Sequence, residues 1–182
     1  MIERLELKNF TAFREIGIDF SPKINIIIGE NGTGKTHLLK VAYALCAANK
    51  GLMGKPNVAV ADVSSALTEK LVRLFMPIEG KLGKMRRVGV AESAKLEARF
   101  TFGKRISADF RQNSKMVSVR ENAQYERYSW DPAFIPTKEV LSLARGITDE
   151  EHDQRTVELI FDDGYVDLAK KLMMQSHDDP DS

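Results

Sequence analysis

The eight residues Gly29-Glu30-Asn31-Gly32-Thr33-Gly34-Lys35-Thr36 fit the pattern G-x-x-x-x-G-K-[ST]. Each position has a physical reason to hold a phosphate. Glycine reaches backbone angles that turn successive N–H groups toward one anion. A helix beginning near Gly34 would add free N–H groups and the positive end of its dipole. The Lys35 ammonium can reach β- and γ-phosphates, and the Thr36 hydroxyl can ligate Mg²⁺. His37 follows in the first helical turn, close enough to count among the nucleotide contacts, although a helix-surface role is plainer for it. Other chemistry is sparse. His37, His152 and His177 are scattered and Cys46 is the one cysteine, so no zinc spacing occurs. Ser64, Ser65 and Ser142 have no His/Asp arrangement that would make a nucleophile.

The elements that must position this loop can be read from periodicity. Ile24 to Ile28 is nearly continuous β-branched sequence and predicts a strand buried on both faces, leading into the loop. After it the period changes: Leu38, Leu39, Ala42, Leu45 and Cys46 recur at helical spacing. Before it, Ile2–Phe10 and Ile16–Phe20 alternate as half-buried strands, the first slightly out of phase at its start. Beyond it, Ser64–Met76 reads as a helix ended by Pro77. Gly80–Gly89 is a basic loop. Leu96–Phe102, Ile106–Phe110 and Met116–Val119 read as a three-stranded antiparallel meander. Ala133-Phe134-Ile135 predicts a short strand stopped by Pro136, and Lys138–Ile147 and Gly164–Met174 predict helices. The acidic tail over 176–182 is expected to be disordered. Tyr128 and Trp130 are expected to pack.

Composition bounds the rest. With 182 residues and 43% hydrophobic content the chain can bury one core. Net charge is +1, which names no partner, but its distribution is uneven. Residues 81–120 carry 11 Lys/Arg against 3 Asp/Glu, and residues 147–182 carry 3 against 11. Lys81, Lys84, Arg86 and Arg87 could meet a nucleic-acid backbone; a solvated loop is the plainer reading. No aromatic interleaves with them to stack bases. One cysteine permits no internal disulfide, and Cys46 sits in an apolar helix pattern that suits a buried thiol in a reducing compartment. With no signal-peptide pattern and no apolar run of membrane length, a cytoplasmic protein without membrane contact is expected.

Two strand patterns precede the phosphate loop, and the loop carries Asn31 in Gly-Glu-Asn-Gly. That order resembles ABC-class ATPases of the SMC, RecF and overcoming-lysogenisation-defect group. The opening stretch from Ile2 to Phe13, with its Asn9-Phe10 pair, resembles the start of that group. Phe134-Ile135-Pro136-Thr137-Lys138-Glu139 resembles a segment of a prokaryotic AAA-labelled branch associated with phage defence, retrons or DNA repair. The resemblance runs over most of residues 1–175 and implies an α/β P-loop lobe with an antiparallel β-subdomain, which we expect the N-terminal strands and the 94–120 meander to form together. It implies ATP and Mg²⁺ as ligands, and Thr11, in the Asn9–Phe13 loop, as a contact near base and ribose. The family's Q-loop glutamine has no counterpart after Phe134-Ile135; Thr137, Lys138 or Glu139 would stand in for it. No Leu-Ser-Gly-Gly signature occurs, and Leu159-Ile160-Phe161-Asp162-Asp163 is a poor Walker B, so no catalytic residue is assigned.

These residues lead us to expect an ATP-Mg²⁺ binding module, resembling the N-terminal half of an ATPase head. ATP-dependent association, as a homodimer or with a second chain supplying the C-terminal half, would regulate a partner effector. The alternative is a non-catalytic nucleotide-binding or interaction module. A P-loop kinase or GTPase fits less well, and no Asn-Lys-x-Asp guanine-reading motif is present.

Overall fold

A computed structural model describes residues 1–121 apart from 51, 53, 54 and 56, and then residues 131–136 and 163–177. The chain divides into two compact units, Met1–Pro132 and Ala133–Ser182.

The first unit is built on one antiparallel sheet. Strand β1 (Ile2–Phe10) pairs with β2 (Phe13–Asp19) on one side and β3 (Ala94–Phe100) on the other. Strands β4 (Arg105–Phe110) and β5 (Ser118–Glu121) extend it in the order β2-β1-β3-β4-β5. Both sequence-predicted strand groups therefore share one sheet. Alternation decides which face is buried: Leu5 pairs with Ala98, Leu7 with Leu96, and Ile106 with Ala98, all on the apolar face. The opposite face carries charge, with the cross-strand ion pairs Arg4–Asp19 and Arg105–Glu121. The phase slip expected at the start of β1 is a register shift between Ile2 and Arg4.

Two helices complete the unit. Helix α1 (Lys35–Lys50) buries Leu38, Val41, Ala44, Leu45 and Ala48. Helix α2 (Val60–Phe75) buries Val63, Leu67, Leu71 and Leu74. It begins four residues before the predicted start because the Asp62 carboxylate accepts the Ala59 N–H and closes the first turn. It ends where Met76 turns left-handed ahead of Pro77. Phe75 meets Phe10 of β1 edge-on at 5.4 Å, and Phe10 meets Phe110 of β4 at 6.2 Å. Thr68 of α2 accepts the Val117 N–H through its hydroxyl at 3.0 Å.

Several expectations are corrected. Ile24–Ile28 lies in no strand, and Ile24, Ile26 and Ile28 are 81%, 79% and 89% exposed. Burial on both faces requires strands on either side, and the five strands pair among themselves, with none of the described residues running alongside this segment. Ala133–Ile135 likewise forms no strand, and Ile135 is exposed. Strand β3 stops at Phe100, because Phe102 adopts a left-handed φ of 63° in the turn to β4. Met116 and Val117 precede β5. In the second unit, helix α3 (Asp163–His177) covers the predicted Gly164–Met174 and buries Val166 and Ala169. Tyr128, Trp130, Thr137, Lys138, Glu139, the 138–147 helix, residues 159–162 of the Walker B candidate and most of the acidic tail lie outside the described residues. No helix among the described residues is long and apolar enough to cross a membrane.

Two predictions follow from the packing. Phe10→Ala should cost about 3 kcal/mol or more by denaturant unfolding, since it removes a fully buried ring that joins helix to sheet. An effect below about 1 kcal/mol would mean that the junction does not carry the fold. Burial pushes the Cys46 thiol up to about 11. A thiol raised on folding stabilises fully below its unfolded pKa of about 8.5, and that contribution is lost as pH climbs toward the folded value. Unfolding free energy should therefore fall between pH 8.5 and 11, with a shallower slope in Cys46→Ala; equal slopes would refute the assignment.

Candidate phosphate-binding loop

The loop from Gly29 to Gly34 ends where α1 begins at Lys35, which places the free N–H groups of that helix at the loop. Gly32 and Gly34 have φ of 81° and 95°, a region that side-chain-bearing residues rarely adopt. Thr33 fixes the curve, its hydroxyl donating to the Glu30 carbonyl at 2.9 Å. The Lys35 ammonium folds over the same curve and donates to the Gly29 carbonyl at 2.7 Å and the Glu30 carbonyl at 2.6 Å. Glu30, Asn31, Gly32, Thr33 and Thr36 are exposed, so the loop opens to solvent.

Gly34 has a second requirement. A Cβ built on it would stand 2.7 Å from Phe13 Cζ and 3.0 Å from Ala12 Cβ. The β1–β2 turn thus packs directly on the loop, which brings the predicted contact Thr11 to its neighbourhood. Thr11 has a φ of 46°, and its hydroxyl oxygen is buried without a hydrogen-bond partner. An orphan of this kind is uncommon in folded chains.

His37 is half-buried rather than on the open surface, with its ring 5.5 Å from that of Phe75. Burial, and then Lys40, lower its pKa, so it stays neutral near pH 7. Its Nδ1 has no partner. Lys40 caps the end of α2 by donating to the Leu74 carbonyl at 2.7 Å.

The basic loop is organised in a way that spacing did not show. Residues Leu82–Met85 form a 3-10 turn with Leu82, Gly83 and Met85 buried. A Cβ on Gly83 would fall 1.6 Å from the Gln112 carbonyl oxygen, so only glycine permits this approach. Lys81 pairs with Glu79. Arg86 donates to the Glu92 carbonyl and to Gln112 Oε1, each at 3.3 Å. Arg87 donates to the Ala12 carbonyl. Lys84 remains exposed. Lys81 and Lys84 thus stay exposed, whereas Arg86 and Arg87 are half-buried, and Arg87 is tied to the turn that packs on Gly34. The clue available in sequence was the apolar Leu82 and Met85 within the charged stretch.

Comparison with known proteins agrees with this geometry. The family model for the AAA ATPase domain matches residues 1–153. The chain is similar to the DNA replication and repair protein RecF of several bacteria. It is 45% identical to that of Ligilactobacillus salivarius over 47 residues, 26% of this chain and 12% of that protein. It is 54% identical to that of Idiomarina loihiensis over 44 residues, 24% and 12% of the two chains. It is 34% identical to that of Lactobacillus johnsonii over 104 residues, 53% and 28%. The chain thus spans under a third of the length of these curated relatives. A glycine loop closed over by lysine at a helix start, within a match that covers most of the sequence, establishes that the chain belongs to the AAA ATPase domain family, in its RecF-like group.

Proposed function

We propose that Gly29–Thr36 holds the phosphates of ATP, with Mg²⁺ ligated by the Thr36 hydroxyl, and that this chain is the nucleotide-holding part of an ATPase in DNA repair or phage defence. The observation that carries the reading is the Lys35 ammonium, held at 2.7 and 2.6 Å by the Gly29 and Glu30 carbonyls across the mouth of the loop. A phosphate there exchanges two neutral acceptors for charged ones, which roughly doubles the strength of each contact. Loop N–H groups and the α1 terminus complete the cradle. Mg²⁺ keeps most of its water and takes few protein ligands beside phosphate oxygens, so one exposed hydroxyl at the helix start is a fitting donor. When bound it would neutralise charge on the β- and γ-phosphates; the chain's own residues bind and orient.

Hydrolysis needs a positioned water and an acidic residue to polarise it. Among the described residues, the two that pack on Gly34, Ala12 and Phe13, carry no carboxylate. We therefore assign turnover to the assembled ATPase, in which ATP draws two heads together and regulates an effector. Lys35→Ala should weaken ATP-Mg²⁺ binding about ten- to hundredfold in calorimetry, from the loss of a charged contact of about 1.5–3 kcal/mol. The unaltered chain should show no turnover above background. Unchanged binding in Lys35→Ala, or brisk hydrolysis by this chain that the substitution abolishes, would each overturn part of the reading.

The exposed isoleucines support the need for assembly. Ile24, Ile26 and Ile28 alternate along an extended segment that enters the loop. Burying each would gain roughly 1.5–3 kcal/mol, and their backbone is unpaired by the described residues. The occupant that fits is a β-strand from the rest of the ATPase, laid alongside residues 24–28. Amides 24–28 should exchange rapidly in this chain and become protected when a C-terminal ATPase portion is added. Ile26→Lys should abolish that protection while changing this chain's own stability by less than about 0.5 kcal/mol. Continued rapid exchange in the assembly would exclude this edge as the joint.

A further inference from the structure

Residues 85–87 are laid against the end of β1 as a minimal extra strand. The Thr11 N–H donates to the Met85 carbonyl at 2.7 Å, and the Arg87 N–H donates to the Asn9 carbonyl at 2.9 Å. Phe10 and Arg86 form the bridge between them. Within this clasp Asn9 and Thr11 both hold left-handed φ angles, 52° and 46°; asparagine takes that region readily, whereas β-branched Thr11 keeps it only when its surroundings impose it. Asn9 is buried and donates through Nδ2 to the Ser93 carbonyl at 3.3 Å. The clasp is itself anchored by Gly83, which lies against the backbone of Gln112. One side chain completes it: Arg87 reaches across the turn to the Ala12 carbonyl, and Ala12 is the residue whose Cβ abuts Gly34. No carboxylate among the described residues pairs with Arg87.

We propose that Arg87 is a positioning residue of the nucleotide site, which holds the Thr11–Phe13 turn against Gly34 so that the turn walls the nucleoside side. The inference rests on the ATP-binding reading above and deepens it. Phosphates occupy the loop and the α1 terminus. The remainder of a nucleotide must leave past an element bordering the loop. Among the described residues the turn packed on Gly34 is that element. A carbonyl held by a guanidinium keeps the turn seated; without it, the strained Thr11 is free to relax away from the loop.

The experiment compares ATP-Mg²⁺ with inorganic tripolyphosphate-Mg²⁺, titrated by calorimetry into the 182-residue chain and its Arg87→Met and Arg87→Lys variants. Tripolyphosphate engages the loop alone, so it also reports whether a variant is folded at the site. Arg87→Met keeps the stem and loses the donors; it should weaken ATP about five- to tenfold, as expected for one charged hydrogen bond, and leave tripolyphosphate within about twofold. Arg87→Lys keeps one donor and should recover most of the ATP affinity. Equal loss for both ligands would assign Arg87 a direct phosphate contact or a folding role and overturn the proposal. Unchanged ATP binding in Arg87→Met would also overturn it while the ATP reading stands. If the unaltered chain binds neither ligand, the ATP reading fails and this proposal falls with it.

Discussion

The ring of Phe10 is the point on which the first unit depends. It is fully buried at the end of β1, edge-on to Phe75 of α2 and to Phe110 of β4. Phe75 in turn supports the His37 ring and lies 5.9 Å from the Lys40 ammonium, both on α1. One aromatic cluster therefore joins the sheet, α2 and the helix that follows the phosphate loop. Because Phe10 immediately precedes the Thr11–Phe13 turn, the same contact fixes where that turn begins. Apolar burial supplies the energy, and the edge-to-face geometry supplies the direction.

The phosphate loop is held from two sides by different forces. On the helix side, the α1 hydrogen bonds begin with the Leu38 N–H donating to the Gly34 carbonyl at 3.0 Å. On the sheet side, steric contact between Ala12, Phe13 and Gly34 leaves no room for a side chain. The loop's own curve comes from Thr33 and Lys35, which satisfy carbonyls that would otherwise face water. Membership of the AAA ATPase domain family accounts for why such a loop is present. The matches cover 12% of one RecF relative and 28% of another.

How much could be read beforehand varied with the kind of interaction. Strands β1, β3 and β4 were legible because one face of each is buried and the other is wet, which writes a period of two into the sequence. Helix α2 was legible for the same reason at helical period, although its true start was hidden because Ala59 lacks a capping side chain and Asp62 does the work from inside the helix. The Ile24–Ile28 segment was misread in the opposite sense. Its composition is that of a core strand, but burial needs neighbours, and the described sheet closes without it. In the basic loop the charge count did not show that Arg86 and Arg87 bond to carbonyl oxygens, while Lys81 and Lys84 are exposed as a solvated loop would have them.

By itself the sequence picked out the candidate phosphate loop, since glycine, lysine and threonine at this spacing are what local backbone geometry and the charge of a phosphate demand. It also determined the strand and helix periods that rest on a single buried face. The sequence also led to one antiparallel sheet shared by the N-terminal strands and the later meander, and tertiary structure decided its strand order, β2-β1-β3-β4-β5. Tertiary structure alone placed the Thr11–Phe13 turn on Gly34, tied Arg86 and Arg87 to carbonyl oxygens, and left three isoleucines in water. The physical reason is range. Propensity, period and motif spacing act between near neighbours, whereas the contact of Arg87 with Ala12 joins residues 75 positions apart, and only the folded chain brings them together.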